Sequence, residues 1–165
     1  MCYIGERSKN KGGIKVTNES LEELFALYGD DVFRLALSYL GNVSDAEDVC
    51  QNVFIKLAEQ ALPPDKGKEK HWLLKCTANA CKNILRSVWR KNREELSEEL
   101  PALEEREREV RNAVMSLPPK YRAAVHLFYF EGYSQGEIAD ILHISVTAVQ
   151  TRMCRAREML KKELK

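Results

Sequence analysis

The chain has 165 residues, 44% of them hydrophobic, which is enough for one packed unit or two small ones and excludes a chain disordered throughout. Its net charge of +1 conceals opposed blocks: −7 over residues 17–60, +8 over 66–93, −6 over 94–109 and +4 over 110–165. Alternating blocks imply separate surfaces for separate partners, with the two basic ones suited to a polyanion.

Residues 1–16 are rich in Lys, Gly and Asn and read as an unfolded tail. A first helix is predicted from about Glu19 to Leu40, with Leu21, Leu24, Phe25, Tyr28, Val32, Leu35, Ala36 and Tyr39 as its apolar positions. Gly41 suits its left-handed end, and Gly29 weakens its middle. Ser44-Asp45-Ala46-Glu47 has the S-x-x-E form of a capping box and opens a second helix to about Gln60. Ala46, Val49, Cys50, Val53 and Leu57 form its core face. Glu47, Asp48 and Gln51 share the opposite side with Ile55 and Ala58, a mixture that suits a protein partner. Phe54 lies on the flank, and the pattern leaves it open between that partner and a neighbouring helix.

Pro63-Pro64 stops this helix, and 65–70 reads as a charged loop. The next helix, about His71 to Arg93, is predicted to bury Leu73, Thr77, Ala80, Ile84 and Val88. Its far side lines up Lys75, Asn79, Lys82, Arg86, Trp89 and Arg93. Cations neutralise phosphates, an amide reads base edges and an indole stacks, so this stripe suits single-stranded or distorted DNA. Residues 94–109 read as an acidic linker, with partial helix towards its end and Pro101 inside it. After Leu117-Pro118-Pro119 a helix runs to about Phe130, and Gly132 ends it.

Residues 133–162 have the form of a helix-turn-helix. Ser134 and Glu137 make a capping box, and Ile138, Ala139, Ile141 and Leu142 form an apolar stripe. The turn His143-Ile144-Ser145 ends on an N-cap residue. Val149, Met153, Ala156 and Leu160 then face inward on the second helix. Thr147, Gln150, Thr151, Cys154 and Arg155 face outward or lie on the flanks, with Arg152, Arg157, Lys161 and Lys162 at the sides. Short polar residues followed by basic ones suit a helix that enters a major groove between phosphates.

No stretch carries a strand period. The predicted fold is therefore all-α, with a helical domain at 17–93, the linker at 94–109 and a helix-turn-helix domain at 110–165. Cysteines 2, 50, 76, 81 and 154 are odd in number and lack C-x-x-C spacing, so they read as reduced thiols, with no metal site. Only three histidines occur, without a carboxylate pair or a phosphate-binding glycine loop, so no catalytic residue, cofactor or small-molecule substrate is predicted. No apolar run reaches membrane-spanning length, and residues 1–15 lack the apolar segment of a signal peptide. The expectation is a cytoplasmic protein without membrane insertion.

Several segments in one order carry a resemblance: DAEDVCQNVF at 45–54, WLLKCTANACKNILRSVWRK at 72–91, the acidic linker, SLPPKYRAAVHLFYFEGYSQGEIADIL at 116–142 and VTAVQTRMCRAR at 146–157. Over about residues 20–163 the chain resembles the extracytoplasmic-function (ECF) subgroup of bacterial RNA polymerase sigma factors. The resemblance implies two helical domains, regions 2 and 4, that bind core RNA polymerase and read the −10 and −35 elements of promoter DNA, and an anti-sigma factor as a further partner. It assigns polymerase docking to Asp45, Glu47, Asp48, Gln51 and Phe54, with Ile55 beside them on the mixed face. The −10 helix takes in Trp72, Leu73, Asn79 and Arg86, joined by Lys75, Lys82 and Asn83, and the loop at about 62–70 corresponds to the segment that captures a flipped base. The −35 domain takes in Tyr121, Tyr133, Ser145, Arg152, Arg155 and Arg157, joined by Thr147, Gln150 and Thr151. Three positions depart from the family pattern: Asn83 stands for a common Asp, Ala148-Val149-Gln150 for Thr-Val-Lys, and His143 for a turn glycine. Two other readings compete: a sigma-like adaptor that keeps the fold but acts through protein contacts alone, and a conventional dimeric helix-turn-helix regulator. The first expects no basic recognition helix, and the second leaves the basic stripe at 75–93 unexplained.

Overall fold

The computed structural model describes residues 16–59, 67–88 and 105–164, and every described element is helical. The predicted tail (apart from Val16), the double proline, Trp89, Arg93 and residues 94–104 of the linker lie outside the described residues. Val16, assigned to the tail, is half-buried against the core.

Helix α1 spans Asn18–Leu40 without a break. The Thr17 hydroxyl accepts from the Ser20 amide at its start, and Gly41 ends it at φ +78° with its N–H on Leu37 O. Helix α2 spans Val43–Glu59. Its cap is not Ser44. Asn42 Oδ1 accepts from the Asp45 amide at 2.8 Å, and Asn42 Nδ2 returns a bond to Asp45 Oδ2 at 2.7 Å. The cap thus lies two residues before the predicted one, because Asn42 offers both an acceptor and a donor. Helix α3 spans Glu69–Val88, so the end of the predicted charged loop is already helical.

In the C-terminal half, α4 spans Glu105–Ser116 and takes up the end of the predicted linker. Pro118 and Pro119 open α5, Pro119–Val125, and α5 continues into a π-helical turn at His126–Phe130. Gly132, at φ +71°, then redirects the chain. Helix α6 spans Gln135–Leu142 with both bonds of the Ser134–Glu137 capping box present. It ends in a Schellman motif: His143 N–H bonds Asp140 O, Ile144 N–H bonds Ala139 O, and His143 adopts φ 50°, ψ 52°. Helix α7 spans Val146–Glu163, and the Ser145 hydroxyl accepts from the Ala148 amide at its start.

One continuous buried cluster joins the two halves. α1 contributes Val32, Leu35, Ala36 and Tyr39, and α2 contributes Ala46, Val49, Cys50, Val53, Phe54 and Leu57. From α3 come Leu73, Leu74, Thr77, Ala78 and Cys81, a wider face than predicted, while Ala80 and Ile84 are only half-buried. The helix-turn-helix closes over Leu127, Ile138, Ile141, Leu142, Val149, Met153 and Ala156. Besides packing within each half, α1 lies against α5 and α3 lies against α6.

That seam is rich in directed bonds. The buried Arg122 guanidinium on α5 donates to Ser38 O at 2.7 Å, Tyr39 O at 3.1 Å and Met115 O at 2.7 Å. The α1 carbonyls lack helical partners at that end, and a cation suits the negative end of the helix. Gly41 is needed there for its positive φ; a Cβ would meet the Arg122 guanidinium at about contact distance, 3.4 Å.

Candidate nucleic-acid interfaces

The outward surface of α7 follows from where the helix starts and how it is rotated. The Ser145 cap fixes where the helix starts, and buried Val149, Met153 and Ala156 fix its rotation. Thr147, Gln150, Thr151, Cys154, Arg155 and Arg157 are consequently exposed. Gln150 Nε2 donates to Gln135 Oε1 on α6 at 3.2 Å, which holds the amide beside the N-terminal turn of the helix-turn-helix. Thr151 is turned onto Thr147 O at 3.0 Å. Arg155 lies against the Tyr121 hydroxyl, which raises the pKa of its guanidinium further. Arg157 reaches sideways, its Nε donating to the Tyr129 hydroxyl at 3.1 Å. Arg152 is half-buried and faces the N-terminal half, near Tyr39 and Lys82. The predicted basic group therefore divides: Arg155 belongs to the outward face, Arg157 to its flank and Arg152 to the seam. Glu158 shares the exposed face, a carboxylate among the cations that no basic pattern signals.

The stripe on α3 also divides. Asn79, Asn83 and Arg86 are exposed. Lys75 and Lys82 are half-buried under α6 instead: Lys75 Nζ donates to Asp140 Oδ1 at 2.9 Å and Lys82 Nζ to Leu142 O. Burial, and then the nearby Arg152 and Arg86 charges, lower the pKa of Lys82. His71 Nε2 takes the other Asp140 oxygen at 2.6 Å. With His71 and Lys75 bonded to it, the Asp140 carboxyl titrates at about 2. Next to this pair, Lys70 Nζ sits between Asp31 Oδ2 at 3.1 Å and Glu131 Oε2 at 2.7 Å, and His126 Nε2 lies 3.4 Å from Glu131 Oε1. His126 and Lys70 hold the nearly enclosed Glu131 carboxyl down at about 2 as well.

On α2, Glu47, Asp48, Gln51 and Ile55 are exposed and Asp45 is occupied by Asn42. Phe54 is 6% exposed and meets Phe25 edge-on, with ring centroids 4.9 Å apart. Of its two sequence alternatives the structure selects the packed one. Phe25, placed in the core by periodicity, is 53% exposed and lines a groove with Gly29, Phe33, Glu47, Cys50 and Gln51. The α1 side of this groove was the part missed from sequence. Its signal was Gly29, one turn after Phe25 and without a side chain to cover Cys50, whose Sγ lies 3.6 Å from Gly29 O. Exposed Ile55, one turn on from Gln51, carries the same surface outward on α2.

The described residues thus make an all-helical protein of the helix-turn-helix class, with the short polar residues of α7 turned outward, cations along α3 and an apolar groove edged by Asp30 and Glu47. Residues 24–91 match the family model for sigma-70 region 2, and residues 107–160 match that for sigma-70, region 4. The chain is 32% identical over 162 residues to the ECF RNA polymerase sigma factor SigE of Mycolicibacterium smegmatis, covering 90% of this chain and 63% of that one. It is 32% identical over 159 residues to the ECF RNA polymerase sigma-E factor of Escherichia coli, covering 83% and 82%. Its fold is similar to that of the sigma factor RpoE from Bartonella quintana, co-crystallised with the anti-sigma factor NepR, with a TM-score of 0.72, 21% identity, and 88% and 97% of the two chains covered. The chain belongs to the sigma-70 family, in its ECF group. Among the described helices none is long and apolar enough to cross a membrane.

Proposed function

We propose that the chain joins core RNA polymerase, directs it to promoters through two separate DNA contacts, and carries out no covalent chemistry itself. The groove between α1 and α2 takes the polymerase, with Gln51 and Ile55 at its accessible edge and Glu47 and Asp48 giving it charge. Phe54 supports that surface from beneath, through Phe25. The exposed part of α3 holds the −10 strand once the duplex opens: Arg86 meets a phosphate, and Asn79 and Asn83 offer amides to base edges, while Lys75 and Lys82 are held by α6. Unstacking a base costs a few kcal/mol, which contacts along the strand must offset. Helix α7 enters the −35 major groove by its N-terminal turns, with Thr147, Gln150 and Thr151 near base edges and Arg155 and Arg157 towards phosphates. An anti-sigma factor is the regulatory partner, working in the cytoplasm where polymerase is.

The observation that carries this reading is the rotation of α7: with Val149, Met153 and Ala156 inside, its short polar residues and Arg155 are the ones left facing solvent. The test separates the two contacts. With polymerase present, Arg155→Ala should weaken binding to duplex −35 DNA, lower its salt slope by about one unit, and leave single-stranded −10 DNA alone. Arg86→Ala should do the reverse, and neither change should alter holoenzyme assembly. Equal losses on both DNAs from either substitution contradict a two-site reading.

A further inference from the structure

The Gln150 amide is not free to turn. Gln150 is exposed one turn into α7, and its Nε2 donates to Gln135 Oε1 at 3.2 Å. Gln135 is the first residue of α6 and half-buried, and the Ser134–Glu137 capping box fixes the turn that carries it. Glu137, the acidic residue of that turn, is committed to the Ser134 N–H at 2.9 Å and to the Ser134 hydroxyl at 2.7 Å, which leaves Gln150 to Gln135. Among the described residues nothing else bonds to the Gln150 amide. A primary amide has two N–H donors and an acceptor oxygen. With one N–H spent on Gln135, the outward side of Gln150 keeps one donor and Oε1. Adenine offers the matching pair in the major groove, the N7 acceptor and the N6 amino donor, whereas guanine offers two acceptors. Reversed, with Oε1 turned to α6, the same side chain would present donors alone and suit guanine.

We propose that Gln135 is a positioning residue for promoter reading: its side-chain carbonyl fixes which way the Gln150 amide faces, and so sets an adenine preference at one base pair of the −35 element. The inference rests on the reading of α7 as the −35 helix, and adds to it which base is preferred and what sets the choice. Gln150 does not carry that choice alone. The two ends of an amide differ little in size, so shape cannot tell them apart, and a hydrogen-bond partner does. The partner stands 15 positions back, on the other helix of the pair, and is within reach because α6 and α7 pack against each other. A side chain already held at one edge also loses less freedom on meeting DNA, so its contact discriminates better than one from a free side chain.

Holoenzyme reconstituted from core polymerase and the full chain selects from linear duplexes randomised around −35 and −10, and the bound fraction is sequenced. Gln150→Ala locates the base pair concerned, as the position whose preference it flattens. Gln135→Ala, Gln135→Glu and Gln135→Lys then test the orienting bond. A carboxylate can only accept, so Gln135→Glu should keep adenine at that position even while its charge lowers affinity for the duplex as a whole. An ammonium can only donate, so Gln135→Lys should draw Oε1 inwards and move the preferred base to guanine. Gln135→Ala should level the preference. Ratios between bases at one position cancel the overall charge effects, and the other positions should keep their preferences, which a general loss of folding would not permit. A well-formed bidentate pair discriminates by about 5- to 150-fold, the enrichment expected of the wild type and lost in Gln135→Ala. Gln135→Glu and Gln135→Lys favouring the same base there would overturn the proposal, as would a wild-type preference for any base but adenine. Arg155→Ala in the same selection separates the proposal from the reading beneath it. If Arg155→Ala weakens duplex binding while Gln150→Ala flattens no position, α7 still reads the −35 element and the orienting bond alone fails. If neither substitution changes binding or preference, the reading of α7 fails, and the proposal with it.

Discussion

Replacing Arg122 with Met should cost about 3–4 kcal/mol of stability, more than most single changes in a domain of this size. The side chain is 8% exposed and its guanidinium donates to three carbonyls, two of them at the end of α1 and one on α4. A hydrogen bond from a charged donor contributes about 1.5–3 kcal/mol, and a buried acceptor left without a donor loses about 1–3 kcal/mol. The three are not additive, because one side chain orders them all and water can reach some carbonyls once the seam loosens. Met fills much of the volume, so the loss isolates the hydrogen bonds from a cavity. Arg122→Lys should fall between, since an ammonium lacks the planar fork that spans three acceptors. The assay is urea unfolding followed by circular dichroism for the three chains. A loss below about 1 kcal/mol for Arg122→Met would refute the reasoning: it would mean that water serves these carbonyls as well as the guanidinium does.

Seam stability should fall on acidification. Asp140 and Glu131 titrate at about 2 when the seam is formed, against ordinary values of 3.8 and 4.5, so their contribution is complete above about pH 5 and fades as pH falls towards 2. Urea midpoints measured from pH 6 to pH 2.5 should decline, and Glu131→Gln should flatten the decline; a wild-type curve without slope in that window contradicts the assignment. His143 occupies a left-handed position at φ 50°, so His143→Gly should raise stability by about 0.5–1 kcal/mol in thermal melts, the relief of strain exceeding the added entropy of the unfolded chain. Phe54→Ala should destabilise by about 3–5 kcal/mol because Phe54 is core, whereas Gln51→Ala should weaken polymerase binding in a pull-down titration and leave the melting temperature alone.

What could be read in advance was what local rules decide. The Ser134–Glu137 box, the Ser145 cap, Gly41 and the inward faces of α6 and α7 all lie within one or two turns of the residues that specify them. The α2 start was misplaced because two capping signals overlap there, and Asn42, which both accepts from and donates to Asp45, outcompetes Ser44. Periodicity put Phe25 inside, since it reports which side of a helix is apolar and cannot report that the side outruns the helices covering it. It also undercounted α3, where Leu74, Ala78 and Cys81 widen the buried face. The seam was out of reach for another reason. His71 and Asp140 are 69 positions apart, Lys82 and Leu142 are 60 apart, and charge blocks separated by that distance carry no register. The same blocks that indicated a polyanion therefore concealed that part of the basic stripe is matched within the chain.

The most direct test of the central claim is run-off transcription by core polymerase on a promoter library, with and without this protein. Discrete transcripts should appear only when the protein is added, from templates sharing one sequence near −35 and another near −10 at fixed spacing. They should vanish for Arg155→Ala on templates weakened at −35. Polymerase that gains no template preference from the added protein, or gains one that ignores both elements, would contradict it.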